Sequence, residues 1–163
     1  MEQLVIFDSN TNRNADNWKI INDAVMGGKS SGLFSLKENG NCVFSGTVSL
    51  ENNGGFSLLR NRFDKIVPNK YSKVIIRVKG DGKRYQFRIR SKVTDDHVYI
   101  AFFETSNEWE DIEILLSDMY PTFRGNKLQK PNYSKESLEE LAFLIGNKKA
   151  EGFKLEIEAV ILE

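Results

Sequence analysis

Alternation of apolar and polar residues at every second position governs this chain, and a period of two is the signature of a half-buried strand. From Cys42 to Leu50 one face carries Cys42, Phe44, Gly46, Val48 and Leu50, and the other Ser45, Thr47 and Ser49. Val74, Ile76 and Val78 alternate with Lys73, Ile75, Arg77 and Lys79, and Tyr85, Phe87 and Ile89 with Arg84, Gln86, Arg88 and Arg90. The last segment sets Phe153, Leu155, Ile157, Ala159 and Ile161 against Lys154, Glu156, Glu158, Val160 and Leu162. Gly80-Asp81-Gly82 and Asn39-Gly40 supply the positive φ of hairpin turns, so 73–79 with 84–90, and 33–36 with 41–50, are expected to form hairpins.

Further strands are expected at 4–7, 18–21, 56–60, 98–103 and 111–116. The wholly apolar run 141–145 suits the centre of a sheet. Ser117-Asp118-Met119 reads as a short turn, and Ser134–Glu140 as one or two helical turns. The three prolines, Pro68, Pro121 and Pro131, fall in expected loops. About ten strands with one or two short helical turns imply an all-β fold, a jelly-roll β-sandwich, built as a single domain over 1–163.

Composition narrows the function classes. Lys plus Arg is 23 and Asp plus Glu is 23, so net charge is zero and no nucleic-acid partner is expected. No apolar run is long enough for a membrane span, and the start at Met1 resembles no signal or transit peptide. With one cysteine, Cys42, no internal disulfide can form, and a cytoplasmic location is expected. Cys42 reads as a buried small hydrophobe and the single histidine, His97, as an exposed loop residue; the two make neither a zinc site nor a catalytic dyad. Asp95-Asp96 and Glu110-Asp111 do not converge on one substrate. Carboxylate and carbonyl oxygens would suit a structural calcium ion, but no loop has regular ligand spacing. No enzyme activity, catalytic residue, cofactor or metal is expected.

Asn22–Gly32, NDAVMGGKSSG, ends like a phosphate-binding P-loop. Asp23 stands where that motif needs its first glycine, and the following SGLFSL reads as a strand where the motif needs a helix. Gly27-Gly28, and Gly54-Gly55 after Asn52-Asn53, are instead read as sites of tight turning or close main-chain approach.

The segments WKIINDAVMGGKSSG (18–32) and FSGTVSLENNGGFSLLR (44–60) resemble the complex I intermediate-associated protein 30 family. KGDGKRY (79–85), YPTFRG (120–125) and the close from Ile145-Gly146-Asn147-Lys148 to Glu163 extend the resemblance over nearly the whole chain. It implies a galactose-binding-like β-sandwich, related in shape to carbohydrate-binding modules. It also implies a non-catalytic protein-binding domain, assembly-factor or chaperone-like, whose partner would be a respiratory-complex subunit or assembly intermediate. The family offers no agreed catalytic set. The long N-terminal extension of a mitochondrial member is missing, so a bacterial stand-alone domain is expected. A carbohydrate- or small-ligand-binding module is the alternative, and a sugar would be its ligand.

Candidate ligand- or partner-binding residues are Asn22, Asp23, Met26, Gly27, Gly28 and Ser30 of the first glycine loop, Asn53, Gly54 and Gly55 of the second, and Asp81. Trp18 and Trp109 are candidates to stack on a sugar ring or on a partner side chain, although Trp18 better suits a core anchor. Arg124 is expected to clamp Asp23 or Asp81, or to touch a partner. Arg77, Lys79, Arg84, Arg88, Arg90 and Lys92 are expected to form one basic stripe on the 73–90 hairpin. The stripe is either neutralised by Glu113, Glu156 and Glu158 as a solvated ladder or open to an acidic peptide or polar ligand. Tyr85 and Phe87 fall on the opposite, buried face.

Overall fold

A computed structural model of the chain describes residues 2–11, 15–22, 30–36, 41–51 and 55–163, with Ala15, Asn22 and Leu36 described by backbone alone. The strands are β1 (Leu4–Asp8), β2 (Trp18–Asn22), β3 (Ser31–Leu36), β4 (Cys42–Val48), β5 (Ser57–Ile66), β6 (Lys73–Lys79) and β7 (Arg84–Arg90). They continue as β8 (Val98–Glu104), β9 (Trp109–Leu115), β10 (Tyr120–Phe123), β11 (Asn126–Lys127), β12 (Leu138–Ile145) and β13 (Glu151–Leu162). Single 3-10 turns stand at Ala15–Asn17 and Leu116–Asp118. Among the described residues no helix is long and apolar enough to cross a membrane.

The strands make two antiparallel sheets. One has six strands in the order β3-β4-β13-β6-β9, with β1 also on β13; the other has seven in the order β11-β10-β8-β7-β12-β5-β2. Their inner faces share one hydrophobic core, the arrangement of a jelly-roll sandwich. Rings fill its middle. Phe143 of β12 lies 5.5 Å from Phe87, 6.2 Å from Phe103 and 6.3 Å from Trp18 between ring centroids. Trp18 meets Phe7 edge-on at 5.1 Å. Cys42 is fully buried, and burial pushes its thiol up, away from the thiolate.

Strands β6 and β7 match their expected ranges, and 141–145 is central, held between β7 and β5. Four expectations are corrected. The 73–79/84–90 hairpin does not exist, because β6 and β7 belong to different sheets and Gly80–Lys83 crosses between them. Asp81 holds that corner: its carboxylate accepts the Lys83 N–H at 3.3 Å, the Lys154 N–H at 2.8 Å and the Tyr85 hydroxyl at 3.0 Å. Ser134–Glu140 makes no helix; Leu138–Glu140 already belongs to β12. Pro121 lies within β10, where its carbonyl accepts from Leu128 N at 2.9 Å. Finally, the alternation in β13 flips. A bulge between Ile157 and Ala159 moves the chain out of phase, so Val160 and Leu162 are buried while Ile161 is only half-buried.

Glycine is required where strands crowd. A Cβ on Gly46 would lie 2.0 Å from the Ser31 carbonyl oxygen of the neighbouring strand, whereas one on Gly82 (φ 82°) would meet nothing within 4 Å. Gly46→Ala is expected to cost about 3 kcal/mol by forcing main chain apart, and Gly82→Ala about 1 kcal/mol of left-handed backbone strain; denaturant unfolding of both variants measures the difference.

Burial raises the Tyr85 and Tyr133 phenols above the ordinary tyrosine range, and Asp81 adds to the rise at Tyr85. The folded state thus holds their protons after the unfolded chain has released them. This contribution is intact below about pH 10 and is lost as pH rises beyond it. Unfolding free energy is expected to fall above that pH, and less steeply in Tyr85→Phe.

Candidate functional site

The expected glycine-loop site is only partly within view. Asp23, Met26, Gly27, Gly28, Asn53 and Gly54 lie outside the described residues. The segments flanking both loops are neighbours: Asn22 at the end of β2 pairs with Ser57 at the start of β5. Ser30 is buried; its hydroxyl donates to the Ser49 carbonyl at 3.2 Å and accepts the Ser49 N–H at 2.9 Å. Gly55 has φ 142°, which suits glycine. The segment after Gly28-Lys29-Ser30 is strand β3, which removes the helix a P-loop needs.

Trp18 is a core ring and offers no face to solvent. Trp109 is half-buried on the six-stranded sheet, with the Arg77 guanidinium 5.8 Å from its ring centroid. The two tryptophans therefore share no platform. Arg124 (φ 49°) turns between β10 and β11 and lies over Phe123 at 5.2 Å; it does not clamp Asp81, whose carboxylate is spent on the corner. His97 is half-buried and within 3.3 Å of the Tyr99 hydroxyl, not the fully exposed residue expected.

The basic stripe is divided by the crossover. Arg77 and Lys79 point outward from the six-stranded sheet, where Lys73 and Arg77 are matched. Lys73 bonds Glu113 at 2.7 Å, and Arg77 reaches Asp111 and Glu158 at 3.2 Å each. Glu156, expected in the ladder, is instead buried. Arg84, Arg88 and Arg90 point outward from the seven-stranded sheet, because Tyr85, Phe87 and Ile89 fill the core as expected.

Strand register places Arg60 and Arg88 on either side of Ala142, and Arg62 and Arg90 on either side of Glu140. Glu140 is nearly buried and accepts from Arg62 Nε at 2.8 Å and Arg90 Nε at 3.1 Å. Arg90 also donates to the Asp95 carbonyl. One carboxylate thus stands among four guanidinium groups. Among the described residues the Arg60 side chain has no hydrogen bond or ion pair, and that of Arg88 donates only to the neutral Gln86 amide, at 3.1 Å. Burial, with Arg90 nearby, pushes the Arg88 guanidinium down to about 10.

This outer face carries two adjoining clefts. The first, about 450 Å³, is lined by Gln86, Arg88, Ile100, Phe102, Tyr120, Thr122, Gly125 and Lys127. The second, about 830 Å³, shares Gln86, Phe102 and Gly125 and adds Lys83, Arg84, Lys148 and Lys149 with Glu104 and Glu151. Gly82 and Gly125 both border it, so the Asp81 and Arg124 turns do meet there through their glycines. Arg84 covers Phe102, its guanidinium 3.8 Å from the ring centroid, and Lys127 lies 5.2 Å from that of Tyr120.

Gln86, Phe102, Tyr120 and Lys127 were not among the expected site residues. Their signal was present in 98–103: Val98, Ile100 and Phe102 are apolar on the face opposite Tyr99, Ala101 and Phe103. A strand apolar on both sides has something to cover or contact outside the core. Among the described residues no three His, Cys, Asp or Glu side chains gather to hold a metal ion.

Glu140→Ala would strand two hydrogen-bonded guanidinium groups beside Arg60 and Arg88. A loss of about 2–3 kcal/mol is expected, read as a lowered midpoint in urea unfolding.

The fold is shared with carbohydrate-binding modules. The family 11 module of a Clostridium thermocellum cellulosomal cellulase superposes with a TM-score of 0.76 at 16% identity, covering 99% of this chain and 94% of the module. A family 11 module from Clostridium thermocellum, in complex with a β-1,3-1,4-mixed-linked tetrasaccharide, superposes at 0.69 with 18% identity, covering 90% and 88%. A variant of a family 29 module gives 0.56 at 9% identity, covering 100% and 92%. No curated protein matches at the sequence level. The family model described as Complex I intermediate-associated protein 30 (CIA30) matches residues 7–157, nearly the whole chain, and the protein belongs to that family.

Proposed function

We propose that this chain is a non-catalytic protein-binding domain, assembly-factor or chaperone-like, that engages its partner through the outer face of the seven-stranded sheet. Family membership supports the class of function. The observation that carries the location is a contrast between the two outer faces: Arg77 on the six-stranded sheet is matched by two carboxylates, while Arg88 on the other borders a cleft with no carboxylate partner. Protein interfaces favour arginine and aromatic side chains set in such depressions. The chemistry present also fits a role without catalysis, since Cys42 is buried as a thiol and His97 is bonded to Tyr99. A respiratory-complex subunit or assembly intermediate is the partner the family suggests.

A second reading, a carbohydrate-binding module, draws on the similarity to modules of that kind, one of them bound to a tetrasaccharide. Sugar rings stack on open aromatic faces. Here Trp18 is in the core, and Arg84 already occupies a face of Phe102.

Proximity labelling in the native host, with the wild-type chain, Phe102→Asp in the clefts and Leu115→Asp on the other sheet, tests the proposal. A partner set kept by Leu115→Asp and lost by Phe102→Asp is expected. Absence of any face-dependent partner, together with calorimetric heat from a mixed-linked glucan tetrasaccharide that Phe102→Asp abolishes, would favour the second reading.

A further inference from the structure

The first cleft on the seven-stranded sheet has a specific chemistry. Its charged lining residues are both cations, Arg88 and Lys127. Arg88 sits on β7 opposite Ile100, and Ile100 sits opposite Tyr120, over whose ring Lys127 leans. Ile100 makes an apolar floor, while Gln86, Thr122 and Tyr120 bring neutral hydrogen-bonding groups to the lining. An arginine placed for structure is matched by a carboxylate, as Arg90 is by Glu140 and Arg77 by Asp111 and Glu158. Arg88 is half-buried yet matched only by an amide oxygen, and its burial disfavours its charge. The group that would compensate it is an anion from outside the chain. In the adjoining cleft Lys83, Arg84 and Lys149 are paired with Asp81, Glu104 and Glu151, and Lys148 adds a further cation.

We propose that the cleft between Arg88 and Lys127 is a carboxylate site, which takes an aspartate or glutamate side chain from an extended acidic segment of the partner protein. The assignment rests on the protein-binding reading and names the chemistry of the partner. A peptide suits the lining better than an acidic saccharide does, because Arg84 and Lys127 already lie over the rings of Phe102 and Tyr120. A carboxylate side chain needs only the guanidinium, the ammonium and a short apolar stem contact with Ile100. Lys148 of the adjoining cleft then attracts the next acidic residue of the same segment, an attraction that salt screens.

Fluorescence polarisation with fluorescein-labelled hexaglutamate, against hexaglutamine, tests the site on the full chain. Saturable, salt-sensitive binding of hexaglutamate alone is expected, weakened about tenfold or more by Arg88→Gln and by Lys127→Gln. Arg77→Gln, on the other sheet, should leave it unchanged. Arg88→Lys should recover only part of the affinity, because the planar fork is lost. Unfolding midpoints give an independent readout. Arg88→Gln should be at least as stable as wild type, since an unmatched buried charge is removed. Arg90→Gln should be less stable, since the Glu140 bond is broken.

A lower midpoint for Arg88→Gln would make Arg88 a structural residue and overturn the site. Failure of hexaglutamate to bind, equal loss in Arg77→Gln, or binding of trigalacturonate in its place would do the same. If host partners survive Arg88→Gln and Lys127→Gln but not Phe102→Asp, the carboxylate site falls and the protein-binding reading stands. If no partner depends on this face, both fall.

Discussion

Packing around the Phe143 ring decides which way much of the seven-stranded sheet faces. Phe143 is buried against Phe87, Phe103 and Trp18, residues of β7, β8 and β2. Each of these rings brings a large apolar area into the core, and none can turn outward without leaving a cavity. Successive side chains on a strand take opposite faces, so each inward ring fixes its neighbours outward. Arg88 is outward because Phe87 is inward, Phe102 because Phe103 is, and Lys19 because Trp18 is. The basic clefts are thus a consequence of how the core is filled.

The corner at Asp81 is the second determinant. An Asp-Gly turn between two alternating segments ordinarily closes a hairpin. Here the Asp81 carboxylate binds the Lys154 N–H of β13 and the Tyr85 hydroxyl, tying the crossover to both sheets. A hairpin would have left Arg77 and Arg88 on one continuous surface. The crossover gives Arg77 to the six-stranded sheet, with Asp111 and Glu158, and Arg88 to the seven-stranded sheet, with no carboxylate of its own. A chain with no net charge therefore places Arg77 where two carboxylates match it and Arg88 where none does.

The site that follows is assembled from β7, β8, β10 and β11, which no local pattern joins. The residues singled out by motif had other tasks. Trp18 anchors the core, Asp81 holds a corner, and Ser30 bonds the chain leading out of β4. Arg88 was visible as a member of a charged stripe, but its lack of a matching carboxylate was not. That lack appears only when Glu140 is seen to be engaged by Arg62 and Arg90.

Alternation, turn residues and the apolar run 141–145 were enough to assign an all-β sandwich, most strand positions, the central place of β12 and the inward faces of β4, β6 and β7, because these follow from side-chain direction within single segments. The family, too, was legible in the sequence, and its model matches residues 7–157. Apart from the β3–β4 hairpin, which the Asn39-Gly40 signal gave, strand partners were not, since pairing joins residues far apart in the chain and competes among many near-equivalent edges. Nor was the bulge that reverses the phase of β13, because an added residue leaves the apolar content of that segment unchanged. Tertiary structure alone decided which charges meet and cancel, and so which face of the sandwich is left to attract an opposite charge.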